Sequence, residues 1–269
     1  TSDGFNLGNS GGGNASGGSY VAYCWKASGS GSSNTAGSIN TTSTSAETTS
    51  KFSISTYTGT GSAATIGHGL GGVVPHFVLC KERGGAGDWV CYHHKNTSAP
   101  ETDVLEFNND TATADNNGMW NDTAPTSTLI TLGGSAVLNN SSDTYVCYAW
   151  SGVQGYSKFS SFVGSGSSDG PFCFCGFRPA WIMIKNTQDG APWMIMDNKR
   201  SGYNPTNNRL YANTTATEEG AVDRFDILSN GFKIRTSDND TNKSGDLFIY
   251  AAFAEAPFVN SNGVPCNAR

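Results

Sequence analysis

The chain has 269 residues, a formal net charge of −6 and only 14% charged residues, well below the roughly 25% of an average soluble domain. Its 16 Lys and Arg are scattered singly, so it lacks the basic patch by which nucleic acid is bound, and no apolar run approaches the ~20 residues of a membrane-spanning helix. With 34 glycines, abundant Ser, Thr and Asn, and few strong helix formers on any potential helix surface, the chain reads as all-β, short strands joined by polar turns.

Taken in order, the chain opens with an apolar pair, Phe5 and Leu7, followed by YVAYCW at 20–25. The same pattern returns as Ile130 and Leu132 before YVCYAW at 145–150, and as Phe232 and Ile234 before FIYAAF at 248–253. The separation, Phe5 to Tyr20, Ile130 to Tyr145 and Phe232 to Phe248, is the same to within one residue. Residues 1–27 are therefore expected to be the closing hairpin of a preceding repeat unit, in a native polypeptide that continues upstream of Thr1. Residues 28–51 are a Ser/Thr/Gly-rich connector, either a flexible linker or a loop laid on the domain that follows.

Two full units come next. SISTYTGTGS (53–62) matches KFSSFVGSGS (158–167), and PHFVLCKERGGAGDWVCYH (75–93) matches PAWIMIKNTQDGAPWMIMD (179–197) without a gap, Lys81 on Lys185 and Trp89 on Trp193. Unit A spans 52–150; unit B spans 151–269 and includes a C-terminal tail. Seven or eight short alternating runs in each suit tandem antiparallel β-sandwich units, jelly-roll-like, rather than a solenoid. The short join SGVQGYS predicts that the two units pack closely.

The cysteines are seven, and Cys173-Phe-Cys175 is not the C-x-x-C of zinc or redox sites. Cys80 and Cys91 flank a hairpin and would face each other across a turn at Gly85-Ala86. The repeat aligns them with Ile184 and Ile195, which marks both as buried apolar slots filled by free thiols.

Motifs with chemical potential do not develop into sites. Gly166-Ser167-Ser168-Asp169-Gly170 matches a nucleophile-elbow pattern, but no helix can follow it in GPFCFCGF. Asp238-x-Asp240-x-Asn242 resembles a calcium loop that has Lys243 where the turn glycine belongs. His68 suits a packed turn, and His93 and His94 should point to opposite faces of a strand. The expectation is a protein that is not an enzyme, with no metal site and no cofactor. Recurring aromatics (Trp25, Trp150 and Phe253; Trp89 and Trp193) read as core packing. The non-recurring Trp120, Tyr203 and Tyr211 lie in polar connections and are the candidates for stacking on a sugar, the other reading of each being partial burial under a long loop.

YVCYAW, GYSKFSSFVGSGSSDGPF, GFRPAWIMIK, DNKRSGYNPTNNRLYANTT, LSNGFKIR and AAFAEAPF together resemble a β-repeat domain of bacteriophage virion structural proteins, marine and cyanobacterial phages especially. TIGHGLGGVVPHFVLCKERGG with WNDTAPTSTLITLG resembles a variant from the same proteins. The resemblance covers nearly the whole chain, and no biochemical activity comes with it. It implies a tail-fibre, capsid-fibre or decoration protein, located in the virion or outside the cell, that self-associates as a homo-oligomer, joins other virion proteins and contacts a host-surface glycan. The alternative is a carbohydrate-binding module or appendage of a secreted bacterial protein; a glycan depolymerase would need a carboxylate pair, and none stands out.

Overall fold

The structure, a computed structural model, describes residues 4–9 and 11–256. Strands dominate, and the helices among the described residues are four single turns: α1 Gly11–Asn14, α2 Asn117–Trp120, α3 Ala136–Asn139 and α4 Asn239–Asn242. The all-β class is as the composition dictates, because Gly/Asn/Ser turns interrupt every apolar run before a helical stripe can form.

Unit A comprises β1 Ser43–Glu47, β2 Phe52–Thr58, β3 Ala64–Gly67, β4 Phe77–Glu82, β5 Val90–His93, β6 Asp103–Glu106, β7 Ala114–Asp115, β8 Leu129–Leu132 and β9 Thr144–Trp150. Seven form a sheet in the order β1-β2-β9-β4-β5-β6-β7, and β3 pairs with β8 opposite it. Unit B comprises β10 Ser157–Val163, β11 Phe172–Phe174, β12 Pro179–Asn186, β13 Met194–Asp197, β14 Leu210–Tyr211, β15 Phe225–Leu228, β16 Gly231–Ile234 and β17 Leu247–Ala254. Its sheets run β10-β17-β12-β13-β14 and β11-β16-β15. The order β2-β9-β4-β5-β6 is thus repeated as β10-β17-β12-β13-β14, and the register repeats with it. Cys147 stands between Ser55 and Cys80 as Tyr250 stands between Ser160 and Ile184. Each unit is a sandwich of two antiparallel sheets, with α2 and α3 adding to the smaller layer in unit A.

Side-chain alternation explains how the units join. In β4, Val78 and Cys80 enter the core of unit A, while Phe77 and Leu79 point the other way; in β12, Ile182 and Ile184 enter the core of unit B, while Trp181 and Met183 do not. The two outward sets meet in a third apolar layer that also takes in Phe159, Ala251 and Phe253. PAWIMI is continuously apolar because that strand is buried on both faces.

One open expectation is decided and two change. The connector 28–51 is part of unit A: β1 extends the large sheet, Ile39 is buried against Ile66, and the hydroxyls of Thr41, Thr44 and Ser55 form a buried chain with contacts of 2.9 and 3.0 Å. Hydroxyl pairing lets a sequence without apolar runs pack internally. Among the described residues, 4–9 and 11–27 do not form a hairpin: the equivalent strand in each unit is central, held between two neighbours, and YVAYCW has no such neighbours there. Phe5, Leu7, Tyr20 and Val21 are exposed, while Tyr23 and Trp25 dock at the junction of the units. Finally, Cys80 pairs with Val90 and Cys91 with Leu79. That is one residue from the expected register, and such a slip reverses the face of a side chain. Cys80 lies in the core of unit A and Cys91 in the inter-unit layer, both as free thiols.

Candidate functional site

The three candidate sugar platforms have three different fates. Trp120 ends α2, whose first turn is capped by the Asn116 side chain accepting from Gly118 N–H. This turn closes the open end of the unit A core, leaving the indole edge-to-face on Tyr92 and 1% exposed. It is closed to a ligand, which corrects the expectation. Tyr211, in β14, is half-buried against the core of unit B, and the Arg209 guanidinium stands 4.8 Å from its ring centroid, so one face is already taken. Tyr203 is 91% exposed. Trp120 belongs to the core of unit A while Tyr203 and Tyr211 belong to unit B, so the three do not form one surface.

The loop that carries Tyr203 is pinned on both sides of the ring. Asp197 Oδ1 accepts from the N–H groups of Lys199 and Arg200, and Arg200 spans Asp197 and Glu218 at 2.6 and 2.7 Å. Asn204 donates to the Ile227 carbonyl and accepts from its N–H, and Ser201 Oγ accepts from Asn208 N–H. Beneath the loop, Asp238 caps α4 and pairs with Arg224 at 2.6 Å. Two side chains of the calcium-like motif, Asp238 and Asn242, are therefore spent on the fold. Serines 167 and 168 are exposed in a turn that leads into strand β11, as the accidental reading of that motif requires.

A second feature escaped the sequence reading. Between the units is an apolar cleft of about 460 Å³, walled by Phe52, Tyr148 and Trp150 from unit A, Trp181 and Phe253 from unit B, and Trp25 from the N-terminal segment. Trp25 lies edge-to-face on Trp181 and Phe253, both at 5.3 Å between centroids, and Tyr23 donates to Asp197 Oδ2 at 2.6 Å. Burial would raise the Asp197 pKa, but the hydrogen bonds from Tyr23 and Arg200 outweigh it and hold the carboxyl below its ordinary range. The recurring tryptophans thus serve the face between units rather than a sandwich core. A signal was present: two strands apolar at both parities require a covering layer on each face.

Away from the cleft the junction is closed by hydrogen bonds. Trp193 Nε1 donates to the Glu106 carbonyl at 2.9 Å, and Thr113 N–H donates to Thr187 at 2.8 Å. Lys185 donates to the Asp110 carbonyl at 3.2 Å, and burial lowers its ammonium to about 8. Three histidines also meet here. The rings of His76 and His94 stack at 4.2 Å, and His93 lies 5.4 Å from His94. His93 Nε2 faces the Tyr250 carbonyl at 3.3 Å while its Nδ1 accepts from Lys95 N–H; His94 Nε2 faces the Phe159 carbonyl at 3.0 Å. Burial lowers His93 and His94 below the ordinary imidazole value, and because each Nε2 faces a carbonyl it is the N–H that donates across the junction. Among the described residues, no group of three His, Cys, Asp or Glu is placed to hold a metal ion.

Comparison with known families matches residues 1–257 to a domain of unknown function (DUF7483), a span that takes in the N-terminal segment and both sandwiches. No curated protein and no solved structure matches.

Proposed function

The chain belongs to the DUF7483 family, whose description assigns no activity, and from that premise we propose that it is a non-enzymatic structural and adhesive part of an extracellular assembly, a phage fibre or virion surface protein. The observation that carries the adhesive part is Tyr203, a ring 91% exposed on a loop held by ion pairs and side-chain hydrogen bonds. An exposed aromatic ring on a loop that is already ordered is a good stacking surface for a sugar, because little backbone entropy is left to lose on binding. The structural part is supported by the apolar layer that joins the two sandwiches, and by the sequence resemblance to virion proteins. Self-association and contacts to other virion proteins belong to the same proposal.

The test is a glycan array probed with the whole chain and with Tyr203→Ala, followed by product analysis of any glycan retained. Retention without cleavage, weakened at least tenfold in the variant, is expected. Cleaved product would refute the non-enzymatic reading, and unchanged retention by the variant would remove Tyr203 from the site. Immunogold location on a virion separates this reading from the alternative, a carbohydrate-binding appendage of a secreted bacterial protein.

A further inference from the structure

The layer between the two large sheets is not filled throughout. The space follows from an asymmetry of the repeat: unit A presents Tyr148 where unit B presents Ala251, and both positions line the cleft. About 460 Å³ stays open to solvent, within the ~300–1,000 Å³ usual for small-molecule sites. No Lys, Arg, His, Asp or Glu is among the lining residues. Interiors leave few voids larger than a water molecule, and water stays in a cavity only where polar groups hold it. These walls, mostly indole, phenyl and aliphatic carbon, hold it poorly.

Two of the lining tryptophans, Trp150 and Trp181, keep their indole N–H groups buried without an acceptor. A buried donor left unpaired is a cost that an acceptor lifts once it reaches the group, and Trp25 packs edge-on against both of these indoles. Asp197, the charge that the lining residue Tyr23 reaches, is already paired with Arg200, which also holds Glu218. Tyr23 and Trp25, which cover one side of the cleft, belong to a segment with no strand pairing, so they can move aside to admit a ligand.

We propose that this cleft binds a neutral, mainly apolar small molecule with a flat or compact body and one hydrogen-bond acceptor, such as a ketone, ester or amide carbonyl. The body stacks on the aromatic walls and the acceptor meets an indole N–H. An anion is disfavoured because no cation lines the site. The site is separate from Tyr203 and does not depend on the adhesive reading.

The test uses the whole chain and Nile red, a neutral planar hydrophobe with one carbonyl acceptor, against the anionic probe 1-anilinonaphthalene-8-sulfonate. Nile red should bind saturably at one site per chain, with quenched tryptophan emission, and at least tenfold more tightly than the anionic probe. Ala251→Tyr, which gives unit B the side chain that unit A has, should weaken Nile red binding at least tenfold. Ala212→Trp fills the cleft from an exposed position and so keeps the fold; it should do the same, with an unchanged circular dichroism spectrum. Non-saturable binding, binding by both variants as tight as that of the native chain, or equal affinity for the anionic probe would each overturn the proposal. A dimer of the free protein that Ala212→Trp dissociates would also overturn it, by assigning the cleft to a second copy.

Discussion

Asn139 and Asn242 show how far the repeat extends at the scale of single residues. Asn139 accepts from Thr60 N–H and donates to the Ser62 and Gly133 carbonyls; Asn242 accepts from Ser165 N–H and donates to the Ser167 and Thr236 carbonyls. Each ties α3 or α4 to the turn after β2 or β10. Gly59 and Gly164 complete the motif, since a Cβ there would lie 2.2 Å from the Asn140 carbonyl oxygen and 2.1 Å from that of Lys243. The histidines make the junction sensitive to acid. Burial first, then the charges of His94, Lys95 and Lys158, bring His76 down to about 4; burial also lowers His93 and His94. A group whose folded value lies below its unfolded value of about 6.5 binds more protons when unfolded. Stability is therefore expected to be full above pH 6.5 and to fall as pH drops from 6.5 towards 4. Urea midpoints at stepped pH check this, with His76→Gln flattening the slope; a midpoint constant across that window in the native protein would contradict it.

At the scale of elements, the β4–β5 hairpin decides which thiol goes where. Its one-residue register places Cys80 opposite Cys147 in a core and turns Cys91 to the inter-unit layer. Burial pushes the thiols of Cys80, Cys91 and Cys173 well up and that of Cys175 to about 12, so none offers a thiolate. Cys24, in the strandless N-terminal segment, is exposed. Alkylation of the native protein at pH 8 with peptide mapping should modify Cys24 within minutes and leave these four and Cys147 at least a hundredfold slower. Fast modification of Cys80 or Cys91 would place that strand differently.

For the whole molecule, the layer between the sandwiches matters as much as either core. Phe77, Trp181, Trp193 and Phe253 are buried there, and a side chain of this size contributes about 1.5–3 kcal/mol on burial. Separating the units would expose all of these groups at once. Thermal unfolding of the whole chain should therefore be one transition, and residues 151–256 expressed alone should associate through the bared aromatic face. Two resolved transitions, or a monodisperse soluble unit B, would show that the layer is dispensable.

Composition and the repeat were enough to determine the all-β class and the equivalence of the two sets of strands. Turn chemistry and apolar alternation are local, and a duplicated pattern constrains both copies. The same reasoning placed Tyr203 in a polar connection, where its ring is exposed. It left Trp120 between a surface platform and burial, because a loop that folds into a single helical turn and caps a core has no periodicity to reveal it. It also read Trp25 and Trp150 as core, because burial in a sandwich and burial between sandwiches leave the same apolar letters. The hairpin register, the docking of Tyr23 and Trp25, the meeting of three histidines and the opening of the cleft were decided by tertiary structure alone. Each depends on residues far apart in the chain and on which face of a strand meets which sheet, a choice that one residue of slip reverses.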